Sequence, residues 1–278
     1  MTVVLQSSKM PDGIEIKVRN RQFNLEQQLE GDWLDGDAFK TAFFNSMSMS
    51  FPIGEKSFID SVRAYSDEIK DPKLKKEMSG FFGQEGMHRR EHQKYNELLC
   101  AKRGYNLEKL ESGWAKRVSQ LNKRGTKLMV LGGTVAAEHF TAILAEKLLQ
   151  GWLFNDVPKE MKDMWLWHAS EELEHKSVAF DVYQSVGGSY KMRKFMLRLF
   201  TLHFLMDIMA STFSMLRQNK QLWKWNTLKS GTKFIFGKGG LVRTLWPQYK
   251  SFYKKDFHPW NNDNRELLEN YLAAETVA

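Results

Sequence analysis

One cysteine, Cys100, stands in 278 residues. It can neither close an internal disulfide nor build a thiolate metal site, so a reducing compartment fits and any metal must be held by histidine and carboxylate. Six prolines and nineteen glycines are few for this length, which argues against a turn-rich β architecture. Met1 to Met10 contain no basic segment followed by an apolar run ending in small residues. The start therefore does not read as a secretory signal, and a cytoplasmic location is the expectation. There is no low-complexity tract and no repeat of the solenoid type.

What is present favours helices. Hydrophobic residues make up 42% of the chain and aromatics 13%, enough for a real core and too much for disorder. Leu, Met, Lys, Glu and Phe are plentiful, so the fold class expected is all-α. Residues 1–35 read as an irregular arm with a short strand at Ile14 to Val18 and no chemistry of its own. A Phe- and Met-rich helix from Ala38 should stop or kink at Pro52, with the next beginning near Glu55 and carrying Phe58, Val62 and Tyr65 at helical spacing. A second helix runs from Pro72 to about Lys102, stopped by Gly104. A connector with a short helix near Leu107 to Leu121 leads to a third long helix, Gly125 to Gly151. A fourth follows Pro158 and reaches about Gln184. Long helices paired by short loops, with one longer connector in the middle, predict a four-helix bundle with one crossover connection over residues 36–188. Residues 189–278 then form additional C-terminal helices packed on it.

Two of the long helices carry Glu-x-x-His: Glu85 and His88 on the second, Glu172 and His175 on the fourth. Positions i and i+3 share a helix face about one turn apart, so a carboxylate and an imidazole can take neighbouring positions on one metal. Each is preceded by a helix bearing a glutamate on or near an apolar stripe, Glu55 and Glu138. Glu138 lies among Ala, Val and Phe, where an ionised carboxylate needs a cation beside it. Two hairpins with the same order of Glu, then Glu-x-x-His, imply a pseudo-twofold bundle whose ligands converge at mid-height. This is the donor arrangement of the ferritin-like di-iron and di-manganese carboxylate proteins, and the residues resemble that superfamily.

Within it, the chain resembles the family labelled predicted metal-dependent hydrolase. The likeness rests on Phe-Pro-x-Gly-Glu at 51–55, Gln-Glu-x-x-His-x-x-x-His at 84–92, Glu-His at 138–139, Trp-His-x-x-x-Glu-x-Glu-His at 167–175 and Phe-His-Pro-Trp at 257–260. A looser likeness is to the arylamine N-oxygenases, which carry a third histidine in His-x-x-x-Glu-x-x-His; His168, Glu172 and His175 reproduce that spacing. The eight candidate ligands are therefore Glu55, Glu85, His88, His92, Glu138, His168, Glu172 and His175, with hydrogen-bonding support as the alternative role for His92. Glu171 and Glu174 are expected to face solvent, His139 to serve as a core or supporting histidine, His203 and His258 to be structural, and Tyr95 to be core.

A carboxylate-rich, thiolate-free donor set suits iron or manganese. The leading expectation is a non-haem oxidase or oxygenase with two Fe ions, Mn or mixed Fe/Mn being alternatives. It would use O2 on an apolar or amphipathic small molecule, acyl or aromatic, with an electron donor protein as a further partner. The alternatives are a metal-dependent hydrolase using a metal-activated water, a ferritin-like iron-binding protein, and an RNA-modifying hydroxylase. From Ser185 to Trp260, fourteen Lys or Arg face only Asp207 and Asp256, a net charge of +12 in a chain whose total is +8. With its interleaved Trp, Tyr and Phe, this region suits an anionic membrane surface, with nucleic acid ranked below it and a merely solvated cap as the plain alternative. The apolar stretch Phe195 to Leu216 is interrupted by Arg198, His203 and Asp207, so it is expected as a fifth packed helix rather than a membrane span.

Overall fold

Asp37, Asp71, Asn106, Thr126 and Ser189 each turn a side-chain oxygen back onto a backbone N–H of the following turn, and five helices start behind them. Such caps satisfy donors that the first helical turn leaves orphaned. In the computed structural model, which describes residues 7–154 and 156–277, these are α1 (Ala38–Arg63), α2 (Pro72–Arg103), α3 (Leu107–Arg124), α4 (Lys127–Leu149) and α7 (Tyr190–Gln218). Between and after them lie α5 (Lys159–His175), α6 (Val178–Ser185), α8 (Trp225–Phe236), α9 (Leu241–Ser251) and α10 (Arg265–Val277). The start of the N-terminal arm, residues 1–6, together with Asn155 and Ala278, lies outside the described residues.

The protein is an all-α helical bundle. α1 packs along α2, and α4 along α5. The apolar core is split in two. One cluster holds Phe43, Phe44, Met47, Tyr95, Leu99, Leu148 and Trp165; the other holds Val62, Phe81, Leu131, Val135, Val178 and Tyr183. Following the chain between them gives the helix directions. α1 and α5 run from the first cluster toward the second, whereas α2 and α4 run back, so α3 is the single crossover that returns the chain. The candidate ligands sit in the band between the two clusters.

Three sequence expectations are corrected. Residues 14–18 form no strand; they run as extended chain along α2, where Gly80 and Gly83 make room. A Cβ at Gly80 would stand 2.7 Å from Ile16, and one at Gly83 2.4 Å from Val18. Pro52 does not break the first helix, because α1 passes through it without interruption. A proline leaves the carbonyl four residues earlier without its helical donor. That carbonyl belongs to Ser48, and Asn96 Nδ2 donates to it across the bundle at 3.0 Å. The fourth helix is interrupted at Lys176 and Ser177, directly after His175. Both side chains are engaged there by the segment before α10: Lys176 Nζ donates to Asn262 O and Asn264 Oδ1, and Trp260 Nε1 donates to Ser177 Oγ.

The C-terminal helices lie on the bundle. α7 packs on α1 and α4, α8 on α1, and α9 on α4. Buried Arg193 of α7 donates to the backbone carbonyls of Phe252 and Lys254.

Candidate metal centre

α1 supplies Glu55, α2 Glu85 and His88, α4 Glu138, and α5 His168, Glu172 and His175. All seven are buried. They fall into three overlapping groups whose donor atoms lie within 4.8 Å of one another: Glu55 with His88 and His168, Glu85 with His88 and Glu172, and Glu85 with Glu138 and His175. Two positions are thus outlined, one between Glu55, His88 and His168 and one between Glu138 and His175, with Glu85 and Glu172 in the middle. His175 Nε2 lies 3.2, 3.5 and 3.6 Å from oxygens of Glu85, Glu138 and Glu172. His168 Nε2 lies 3.0 Å from Glu172 Oε1 and 3.9 Å from Glu55 Oε1.

The donors face one another with little else to hold them. Both carboxylate oxygens of Glu55, Glu85 and Glu138, Oε2 of Glu172, Nδ1 of His88 and Nε2 of His175 are buried without a hydrogen-bonded partner. Orphaned polar atoms in such number are unfavourable unless something satisfies them. Burial first, and then the neighbouring carboxylates, hold Glu55 and Glu138 well above the usual carboxylate range. Burial also raises Glu85, against the opposing pull of the neighbouring His175 imidazole. At Glu172 burial acts upward but is outweighed by His175 and His168, so its carboxyl titrates well below the usual range. Burial, reinforced by His168, keeps His88 neutral. Four carboxylates balance two divalent ions, and neutral imidazoles complete the set, so these residues fit a pair of hard or borderline cations.

The imidazoles are oriented from behind. His88 uses Nε2 toward Glu171 Oε2 at 2.9 Å, leaving Nδ1 for the centre. His175 uses Nδ1 toward Gln84 Oε1 at 2.8 Å, leaving Nε2. For His168 the support is a relay. Nδ1 pairs with His92 Nε2 at 2.8 Å, His92 Nδ1 with Ser48 Oγ at 2.8 Å, and Ser48 Oγ donates to Asn96 Oδ1 at 2.7 Å. If each link donates outward from His168, every proton finds an acceptor and the bare Nε2 of His168 faces Glu172. Second-layer partners of this kind fix ring and tautomer of a ligating histidine.

For His92 the geometry fits the supporting role rather than that of a ligand: one nitrogen meets His168 Nδ1 and the other Ser48 Oγ, and it belongs to none of the three donor groups. Glu171 and Glu174 are corrected, since both are buried rather than solvated. Arg19 of the N-terminal arm donates to each, at 3.2 Å to Glu171 Oε1 and 2.6 Å to Glu174 Oε1. Gln84 Nε2 donates to Glu174 Oε2 at 2.6 Å. The arm thus does contribute to the site. Helical periodicity could not reveal these contacts, but two glycines three apart inside α2 were a usable signal, because an interior glycine weakens a helix unless a close approach requires it. His139 turns away and packs on Phe252 and Phe257, with burial pushing its pKa down to about 3. His258 bonds Asp181 at 2.9 Å, Tyr95 donates to Asn45, and His203 lies in a cavity wall.

Residues 17–263 match the model of a family described as predicted metal-dependent hydrolase. The chain belongs to that family. No curated protein matches the chain, and no solved structure does. In this member of the predicted metal-dependent hydrolase family, the matched span includes every side chain of the cluster together with Arg19 of the arm. Replacing His92 by Phe should weaken metal binding about 10- to 100-fold, as loss of a supporting hydrogen bond does, while saturating metal still fills the centre. Calorimetric titration measures this, and a variant that no metal concentration can fill would make His92 a ligand after all.

A cavity of about 360 Å³ opens beside the cluster, between α1, α3, α4, α7 and α9. Its wall is mostly apolar. Phe51, Thr141 and Leu144 line both this cavity and a small recess bordered by His168 and Glu172. Phe51 stands at the partition, its ring 5.0 Å from that of His168 and 4.6 Å from that of His92.

Proposed function

We propose that the chain is a ferritin-like dinuclear-metal oxidase or oxygenase, with two Fe ions as the best fit to its donors and an apolar or amphipathic small molecule as substrate. One observation carries the reading: four buried glutamates and three oriented histidines meet behind the wall of an apolar cavity. Glu55 and His168 would hold one ion and Glu138 and His175 the other, with Glu85 and Glu172 between them and His88 at the first. Such a pair of ions, when bound, supplies two electrons for O2. The chain's residues do the rest. The cavity excludes water, Phe51 and Leu144 position an apolar substrate at the partition, and the relay through His92 holds the proton on Nδ1 of His168. Glu55, Glu85 and Glu138, whose carboxylate oxygens have no hydrogen-bonded partner, are the carboxylates free to shift.

The family's description favours a second reading, hydrolysis by a metal-activated water. That chemistry wants a base near the water. Glu171 and Glu174 do not offer one, since their oxygens are taken by Arg19, His88 and Gln84. One experiment separates the two. The protein loaded anaerobically with Fe(II) should take up O2 on mixing, and the Zn(II)-loaded protein should leave acyl and aryl esters intact. Ester turnover by the Zn form, with no O2 uptake by the Fe form, would replace oxidation by hydrolysis.

A further inference from the structure

α7 is mostly apolar through its middle, yet only one side of it is covered. Met196, Leu197, Ile208, Met215 and Leu216 are buried in the bundle. On the other side, positions 195, 198, 202, 205, 206, 210, 213 and 217 are exposed, a continuous stripe at spacings of three and four. Leu202 is 57% and Met206 53% exposed. Basic residues occupy and extend both ends of this stripe, Lys191, Lys194 and Arg198 at its start and Arg217, Lys220 and Lys224 at its end. Trp223 and Trp225 follow at once, 84% and 75% exposed. The one acidic residue of α7, Asp207, is paired with Arg117 of α3 and adds no free negative charge.

We propose that this face of α7 docks on an anionic phospholipid bilayer, lying in its interface with Leu202, Leu205, Met206 and Phe213 inserted and the flanking cations on the headgroups. Aliphatic centre, basic ends and tryptophans at the edge are the composition such a surface selects. A second copy of the chain fits less well. A twofold contact through the stripe would bring like-charged ends together. RNA fits less well too, because the middle is aliphatic and offers bases little to stack on. The helix is long and apolar enough to cross a membrane by length and composition. Its inner side, however, is held in the bundle, with Thr212 bonded to Ser46 and Ser211 to the Leu110 carbonyl. A surface position keeps those contacts.

The docking face also meets the cavity. Leu205 is exposed on the stripe and lines the cavity wall with His203 and Phe204. A membrane-resident amphiphile could thus enter without crossing water; this clause rests on the cavity being the substrate site, whereas docking itself does not.

Vesicle sedimentation of the full chain tests the proposal. Vesicles containing phosphatidylglycerol should bind at least about tenfold more tightly than pure phosphatidylcholine at low salt, and the difference should shrink at high salt as charges are screened. Leu202→Glu with Met206→Glu should weaken binding at least tenfold while melting temperature and metal content stay unchanged. Carbonate washing should release the bound protein. Absence of vesicle binding, a salt-stable dimer abolished by the same double variant, preferential retention on RNA, or resistance to carbonate would each overturn the proposal. Because binding is read without metal or substrate, it stands or falls separately from the oxidase reading.

Discussion

Chelating the metals should lower the melting temperature by about 15 °C near neutral pH. At free metal about a thousandfold above Kd, each site stabilises the folded state by about 4 kcal/mol, hence about 8 for two. A chain of this size loses roughly 2 °C per kcal/mol. The gap should also widen as pH rises from about 6 to about 8. Without metal, Glu55 and Glu138 hold protons because burial and their carboxylate neighbours raise them well above the usual range. A glutamate raised in the folded state costs stability as pH climbs through its folded pKa, because the unfolded chain has already released that proton. His175 acts in the same direction; burial lowers it, but Glu172, Glu85 and Glu138 outweigh burial and hold its proton. Metal must displace these protons, so its stabilising effect grows with pH. His88 is already neutral and adds nothing to displace. Groups outside the centre, such as Lys176, contribute equally with and without metal and cancel in the difference. Calorimetry of metallated and chelated protein at several pH values measures it. A gap that is constant or narrows with rising pH would remove the carboxylate cluster as the cause.

Glu138→Leu should have opposite effects in the two states. With metal supplied, one of the two positions should empty and activity should fall at least about a thousandfold, since an oriented ligand is lost. Without metal, the variant should be more stable than the wild type by about 1 to 4 kcal/mol, because a buried carboxylate with both oxygens unpartnered is replaced by an apolar side chain of similar volume. Urea titration of the chelated proteins checks the second effect, and elemental analysis the first. A structural glutamate would behave otherwise: its loss would destabilise the protein whether or not metal is present.

The parts of this arrangement that were legible in the sequence are those set by local periodicity. Pro72 and Gly104 bound α2 as their backbone preferences require. The two Glu-x-x-His pairs announce shared helix faces, and Glu138 stands out as an acid inside an apolar helix. What escaped depends on partners far away in the chain. Pro52 reads as a stop because the donor that rescues the Ser48 carbonyl, Asn96, lies 44 residues on, and nothing near Pro52 signals it. Glu171 and Glu174 read as solvated because two adjacent-face acids usually are; Arg19, from an arm without periodic structure, lets both be buried. His92 carries the ligand-like spacing of His88, and only the side chains of Ser48 and His168 assign it a supporting role.

The central claim is that seven side chains, Glu55, Glu85, His88, Glu138, His168, Glu172 and His175, hold two metal ions between the halves of the core. Elemental analysis of the full chain, after reconstitution with Fe(II) and removal of loose metal, tests it most directly. Two ions per chain are expected, with both lost on combining Glu85→Ala and Glu172→Ala. A wild type that retains none, or a double variant that keeps both, would contradict it.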